Sequence, residues 1–152
     1  MGIQNNIWSQ LSRGLFVVKY TSIDELKKYR EAIKAVNMNI HDCTILAIVD
    51  TKKEKNTLGE QSNVVFVSEQ EFNLFGVLKN EEAKNTVNRA YDVVLYTVDV
   101  PKRIGKLLNK TKKKLSVGVN CTSLAQNVNL KTEVNSPEHL INFAKQTLEK
   151  IT

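Results

Sequence analysis

The 152-residue chain has little of what usually announces chemistry. There are two cysteines, Cys43 and Cys121, two histidines, His41 and His139, two prolines and one tryptophan. The cysteine separation matches no metal or redox spacing, so two reduced thiols in a cytoplasmic protein are expected, with no metal. No apolar run approaches the roughly 20 residues that cross a bilayer, which argues against a membrane partner. The first residues, MGIQNNIWSQLSRG, lack the basic-then-apolar layout of a secretory signal. Asn6 stands where myristoylation after Met1-Gly2 needs Ser or Thr. No G-x-G-x-x-G, G-x-x-x-x-G-K-[ST] or G-x-S-x-G occurs, so a dinucleotide site, a P-loop and a serine-nucleophile elbow are not expected. No cofactor is implied. Nor does any repeat, linker or low-complexity tract divide the chain.

What is present is an ordinary globular composition, 41% hydrophobic and 25% charged, at a length that suits one domain. Gly14 to Tyr20 and Cys43 to Val49 are near-continuous apolar runs, as expected of strands buried on both faces. Shorter strands are expected at Asn63 to Val67, Tyr91 to Val98 and Leu115 to Asn120, and a weak one at Asn127 to Val134. Between them lie helical signals. Thr21 and Ser22 precede Asp24 and Glu25 at capping-box spacing, and the helix they open carries Ile23, Leu26, Tyr29, Ile33 and Val36 on one side, ending near Asn37 to Asn39. Asp50 to Asn63 has no periodicity and reads as a surface loop. Ser68 caps a brief helix through Glu71, with Gly76 as its stop; Phe72 and Phe75 at helical spacing read as core, the alternative being a protein-interaction module that uses a Phe72-Asn73-Leu74-Phe75 helix. Helices are also expected over Asn80 to Arg89, from Pro101, and after Ser136-Pro137. The alternation predicts a single three-layer Rossmann-like α/β domain over 14–152, with a mostly parallel sheet of five or six strands. Residues 1–13, with Trp8, form a short helix or arm.

The one strong charge feature is Pro101 to Lys114. It holds Lys102, Arg103, Lys106, Lys110, Lys112, Lys113 and Lys114 and no acidic residue. Those seven cations exceed the net charge of +6, which leaves about −1 for the rest of the chain. Ile104, Leu107 and Leu108 form the inward stripe, with Lys102, Arg103, Lys106 and Lys110 opposite and Lys112 to Lys114 in the turn behind. Such a surface suits RNA or another polyanion, bound through its backbone, since no aromatic between Val100 and Leu115 is available to stack bases.

Other candidates are weaker. Ligands of doubly wound folds bind outside the carboxyl ends of the strands, which points to Tyr20, Thr21, Ser22, Asp50 and Asp99 as an alternative small-ligand site. A strand-end Asp also serves simply to cap, as Asp99 does if it stands over the Pro101 helix. His41, Asp42 and Cys43 are neighbours that cannot converge on one atom, and His139 reads as solvent-facing. With no acid/base pair in view, enzymatic activity is not the favoured reading.

The segments Phe66 to Leu78 (FVSEQEFNLFGVL), Tyr91-Asp92-Val93-Val94-Leu95 and Leu115-Ser116-Val117-Gly118 together resemble an uncharacterised bacterial family of about this size. That family sets a short strand before an F-x-x-F/W-G piece, then an FDVLI strand, a Lys-rich helix and a KVG strand. The resemblance spans roughly Gly14 to Ile151 and implies a fold without an activity. The strand–helix–strand core alone is similar to part of the heptosyltransferase N-terminal domain. That likeness covers about thirty residues and implies a degenerate glycosyltransferase-like domain, no catalytic residue of which finds a match here.

Overall fold

Leu15, Phe16, Val17 and Val18 have no solvent exposure. They form most of β1 (Gly14–Lys19), the strand with covered neighbours on both sides and both faces. The computed structural model describes residues 6–36, 38–121 and 128–151. Met1-Gly2 and the rest of 1–5, Asn37 at the expected end of the first helix, and Asn127 at the expected start of the last strand lie outside the described residues.

β2 (Cys43–Ile48), β3 (Val64–Val67), β4 (Ala90–Tyr96), β5 (Lys112–Val119) and β6 (Val128–Leu130) complete one sheet. Its order is β3-β2-β1-β4-β5-β6, and every neighbouring pair runs parallel. This is the order of a doubly wound sheet, with the reversal between β1 and β4. The expected three-layer Rossmann-like architecture is therefore present, with six strands.

Strand alternation divides the core. Phe16, Val18, Ile45, Ala47, Val93, Leu95 and Val117 face α1 (Ile23–Ala35) and α5 (Pro137–Glu149), which bring Leu26, Ile33, Leu140, Ile141 and Leu148. Leu15, Val17, Leu46, Val65, Val94 and Tyr96 face α3 (Glu81–Val87) and α4 (Lys102–Lys110), which bring Ala83, Val87, Ile104 and Leu108. Trp8, in a 3-10 turn over Trp8–Gln10, is buried, and Ile7 N–H donates to the Ile151 carbonyl at 2.8 Å.

Several local expectations need correction. The stretch read as a loop contains α2 (Lys52–Asn56), opened by Thr51, whose hydroxyl accepts from Glu54 N–H at 3.1 Å. Five residues with none buried carry no amphipathic period, so the pattern could not reveal it. Lys112 to Lys114 are the first residues of β5 rather than a turn; Lys112 is in register with Ala90 and Lys113 with Tyr91. They pair at the solvent-facing amino edge, where strand formation demands no apolar alternation. Finally, the helical turn after Ser68 ends at Glu71, and Phe72 then pairs with Leu78 across a tight hairpin.

A buried carboxylate holds that hairpin in place. Glu71 is 4% exposed. Its Oε1 accepts from Ser68 N–H at 2.8 Å and Asn80 Nδ2 at 3.0 Å, while Oε2 lies 3.1 Å from Lys55 Nζ. Asn80 also donates to the Phe66 carbonyl at 2.9 Å and accepts from Ala83 N–H at 3.0 Å, capping α3. Removing one partner from a buried, hydrogen-bonded charge network costs about 3 kcal/mol or more. Glu71→Ala is therefore expected to lower urea-denaturation stability by about 3 kcal/mol, with Glu71→Gln falling between it and the wild type; a loss under about 0.5 kcal/mol would remove this network from the account of the fold.

Candidate functional site

The first place to look in this topology is the carboxyl end of β1 and β4, where the strand order reverses. Here that position is bridged by the protein itself. Thr97 N–H donates to the Val17 carbonyl at 3.0 Å and its Oγ1 lies 3.3 Å from the same oxygen; the Tyr29 hydroxyl lies 3.4 Å from Thr97 Oγ1. Tyr29 is 5% exposed, and burial pushes its phenol above the ordinary value.

The five residues of the alternative small-ligand site lie along this edge but serve separate local purposes. Tyr20 meets the Phe66 ring edge-on at 5.7 Å, Ser22 accepts from Glu25 N–H to cap α1, and Asp50 pairs with Lys19 at 2.9 Å. Thr21 and Asp99 are exposed. Three clefts are lined elsewhere: one of about 440 Å³ between α1 and α5, beside Glu31 and Pro137; one of about 500 Å³ at the amino edge, beside Arg13 and Lys112; and one of about 480 Å³ beside Asn120 and Thr132. None is lined by any of these five residues.

The basic segment is distributed along the molecule's height. α4 runs back from the carboxyl edge to the amino edge, so Lys102 and Arg103 sit at one end and Lys110 and Lys112 at the other, with Lys106 between. All five are exposed. The remaining two are already engaged. Lys113 Nζ turns back onto the carbonyls of Leu108 at 2.9 Å and Thr111 at 3.0 Å, where a cation suits the unpaired carbonyls of a helix end. Burial holds its amine below the ordinary value. Lys114 lies 3.2 Å from Asp92.

Glu69 stands over the first turn of α4. Its Oε1 accepts from Arg103 N–H at 3.1 Å and its Oε2 from Ile104 N–H at 3.3 Å. The N-terminal amides of the helix, a natural anion site, are thus filled by the protein's own carboxylate. No local signal marks Glu69, which is 34 residues from Arg103.

Sequence reasoning misplaced the most unusual surface feature. Phe75, expected in the core, is 90% exposed, and Leu74 beside it is 99% exposed. They cap the hairpin between Phe72 and Leu78. Asn73 builds its turn: its side-chain oxygen accepts from Phe75 N–H at 2.9 Å and Val77 N–H at 3.0 Å, its N–H donates to the Val77 carbonyl and its carbonyl accepts from Gly76. Gly76 has φ +76°, a region that a side chain disfavours. Asn followed three residues later by Gly was the available signal, a turn signature outweighed by the helical spacing of the two phenylalanines. Phe72 is half-buried, with the Arg103 guanidinium carbon 5.9 Å from its ring centroid, so the hairpin base and the start of α4 are in contact.

The residues with nucleophilic or acid/base potential do not assemble. His41 and Asp42 are exposed in a 3-10 turn before the buried Cys43. His139 is not solvent-facing as expected: it is half-buried, its Nε2 lies 2.9 Å from Thr132 Oγ1, and its ring stacks on Phe143. Both cysteines are free thiols, and burial pushes each up to about 11. Among the described residues no group of three or more His, Cys, Asp or Glu gathers as a metal site would, and no helix is long and apolar enough to cross a membrane.

Two measurements check these assignments. Asp92 Oδ2 accepts from Arg13 N–H, Ser12 N–H and the Ser12 hydroxyl at 2.9–3.0 Å, and these bonds, with Lys114, hold its carboxyl well below the usual carboxylate range. A lowered folded value means stability present above the unfolded value of about 4 and lost as pH falls. Asp92→Asn should therefore cost about 1–2 kcal/mol at pH 7 and markedly less at pH 3 in urea denaturation, whereas an equal cost at both would rule out the charge as the cause. Since both thiols are raised to about 11, iodoacetamide at pH 8 should label Cys43 and Cys121 slowly in the folded protein and rapidly in guanidinium. Fast native labelling would contradict their burial.

No curated protein and no solved structure matches the chain. A family model does, over residues 3–151, nearly the whole sequence, in keeping with the resemblance carried by the Phe66 to Leu78 and Tyr91 to Leu95 segments. The chain belongs to DUF6913, a family of unknown function.

Proposed function

We propose that this is a non-enzymatic binding domain whose α4 face engages RNA through its phosphate backbone, without base choice along the helix. One observation carries the reading. Lys102, Lys106 and Lys110 recur at four-residue intervals on the solvent side of α4, a helix without any acidic residue, and among the described residues none of them, nor Arg103 or Lys112, takes part in an ion pair. Native surfaces normally intersperse the two signs. The nearby Glu69 carboxylate bonds to backbone amides, and Asp92 is paired with Lys114, so neither neutralises the middle of the row.

Side chains four apart on a helix stand about 6 Å from one another, so the row from Lys102 to Lys110 covers about 12 Å along the axis. A phosphate chain laid along it releases counterions at each contact, which makes affinity fall steeply with salt. Phosphate contacts of this kind position a ligand and carry no sequence information. Cytoplasmic RNA or a ribonucleoprotein is the partner that this chemistry suits.

The test is a Lys106→Glu, Lys110→Glu double variant titrated against fluorescein-labelled RNA of mixed sequence at several salt concentrations. Both positions are exposed, so folding is expected to survive. Affinity should drop at least tenfold at low salt, and the slope of log K against log salt should flatten by roughly 1.5, about 0.7–0.9 per lost phosphate contact. Unchanged affinity and slope would end this reading.

A further inference from the structure

We infer that the Leu74–Phe75 hairpin tip is a base-stacking platform, and that the RNA held by α4 is single-stranded where it passes the tip. This deepens the RNA-binding reading above and rests on it.

The tip is not explained by the core. Phe72 and Leu78, at the base of the hairpin, supply the apolar anchors, while Leu74 and Phe75 project from it 99% and 90% exposed. Exposed apolar residues scattered singly over a surface need no account. These are on an ordered turn, closed by four bonds to Asn73 and based on the Glu71 network. A ring presented in this way loses little further freedom when something stacks on it.

Position then selects the occupant. The Arg103 guanidinium lies against the Phe72 ring, which joins the hairpin to the first turn of α4. Phe75 is three residues from Phe72, so their Cα atoms are within about 11 Å. A strand whose phosphates follow Lys110, Lys106 and Lys102 toward the carboxyl edge therefore reaches the base of the hairpin at Phe72, and Phe75 lies within about 11 Å of that base. A cationic track ending at a solvent-facing aromatic is the combination by which proteins hold single strands, because every base has a face to stack. In a duplex those faces are already covered, so the ring has nothing to gain there. Leu74 offers an aliphatic contact for the ribose or the edge of the same base.

The absence of aromatics inside the basic segment itself predicted backbone binding only, and the fold supplies from another part of the chain an exposed aromatic ring, Phe75, that changes this. Stacking is tolerant of base identity, so the expected ligand is a single strand of mixed sequence.

The experiment compares a twelve-nucleotide single-stranded RNA with a duplex of the same length, using the wild type, Phe75→Ala, Phe75→Trp and Lys106→Glu, Lys110→Glu. Phe75→Ala should weaken single-strand binding roughly tenfold while leaving duplex affinity and the salt slope unchanged, and Phe75→Trp should restore single-strand binding. Circular dichroism of each variant should match the wild type, since the replaced ring makes no core contact. Equal losses on both RNAs, or no loss on the single strand while the lysine variant still weakens binding, would overturn the stacking platform and leave the α4 reading standing. Wild type that binds neither RNA at low salt would overturn both. Binding to phosphatidylserine vesicles that depends on Phe75, with single-strand binding unaffected by its loss, would reassign the tip to a lipid surface and also overturn the proposal.

Discussion

Glu71 keeps a carboxylate almost entirely out of water, and it is tolerated there because each oxygen has partners: the Ser68 amide and the Asn80 side chain on one, the Lys55 ammonium on the other. The arrangement links four pieces of chain that share no local sequence signal. β3 is tied in through the Phe66 carbonyl, α2 through Lys55, α3 through its Asn80 cap, and the hairpin through the bond from Lys79 N–H to the Glu71 carbonyl at 2.8 Å. A neutral contact could have joined two of these. A buried, multiply bonded carboxylate joins all of them, and it does so with directionality, so the hairpin leaves the sheet at one angle.

Two further carboxylates extend this logic along the molecule. Glu69, two residues away, lies over the first turn of α4, and Asp92 gathers Ser12, Arg13 and Lys114 at the opposite edge. At the first end the Glu69 carboxylate holds only backbone amides, and at the other only Lys113 and Lys114 are engaged. Lys102, Arg103, Lys106, Lys110 and Lys112 stay exposed, in no ion pair among the described residues. The fold acts as a filter on the seven cations: it uses Lys113 as a helix cap and Lys114 as an ion-pair partner, and among the described residues leaves the outward row of α4 without an ion pair.

The architecture was legible because buried parallel strands have a plain signature. Gly14 to Tyr20 and Cys43 to Val49 are apolar at consecutive positions, which only a strand covered on both faces requires, and the stripe Ile104, Leu108 defines the buried side of α4. Capping residues were equally readable: Ser22, Ser68 and Ser136 all accept the amide bonds that their positions suggest. The failures share a cause. Helical spacing of Phe72 and Phe75 implied burial, but periodicity says only which residues share a face, and here the helix ends at Glu71 before the second ring could use it. His139 was read from its own helix alone, whereas Thr132 reaches it from the preceding segment. Lys112 to Lys114 looked like a turn because a strand's polar edge has no alternation to detect.

The sequence by itself determined the order and type of the main elements, the doubly covered centre of the sheet, and the sign and location of the unbalanced charge, since each of these depends on residues within a few positions of one another. Tertiary structure decided which of those charges remain available and where the aromatic ring stands relative to them. Those outcomes depend on contacts such as Glu69 with Arg103 and Arg103 with Phe72, made between residues some thirty positions apart. Such pairs are created by the β3–α3–β4–α4 path through the sheet, and no local pattern of hydrophobicity or charge encodes them.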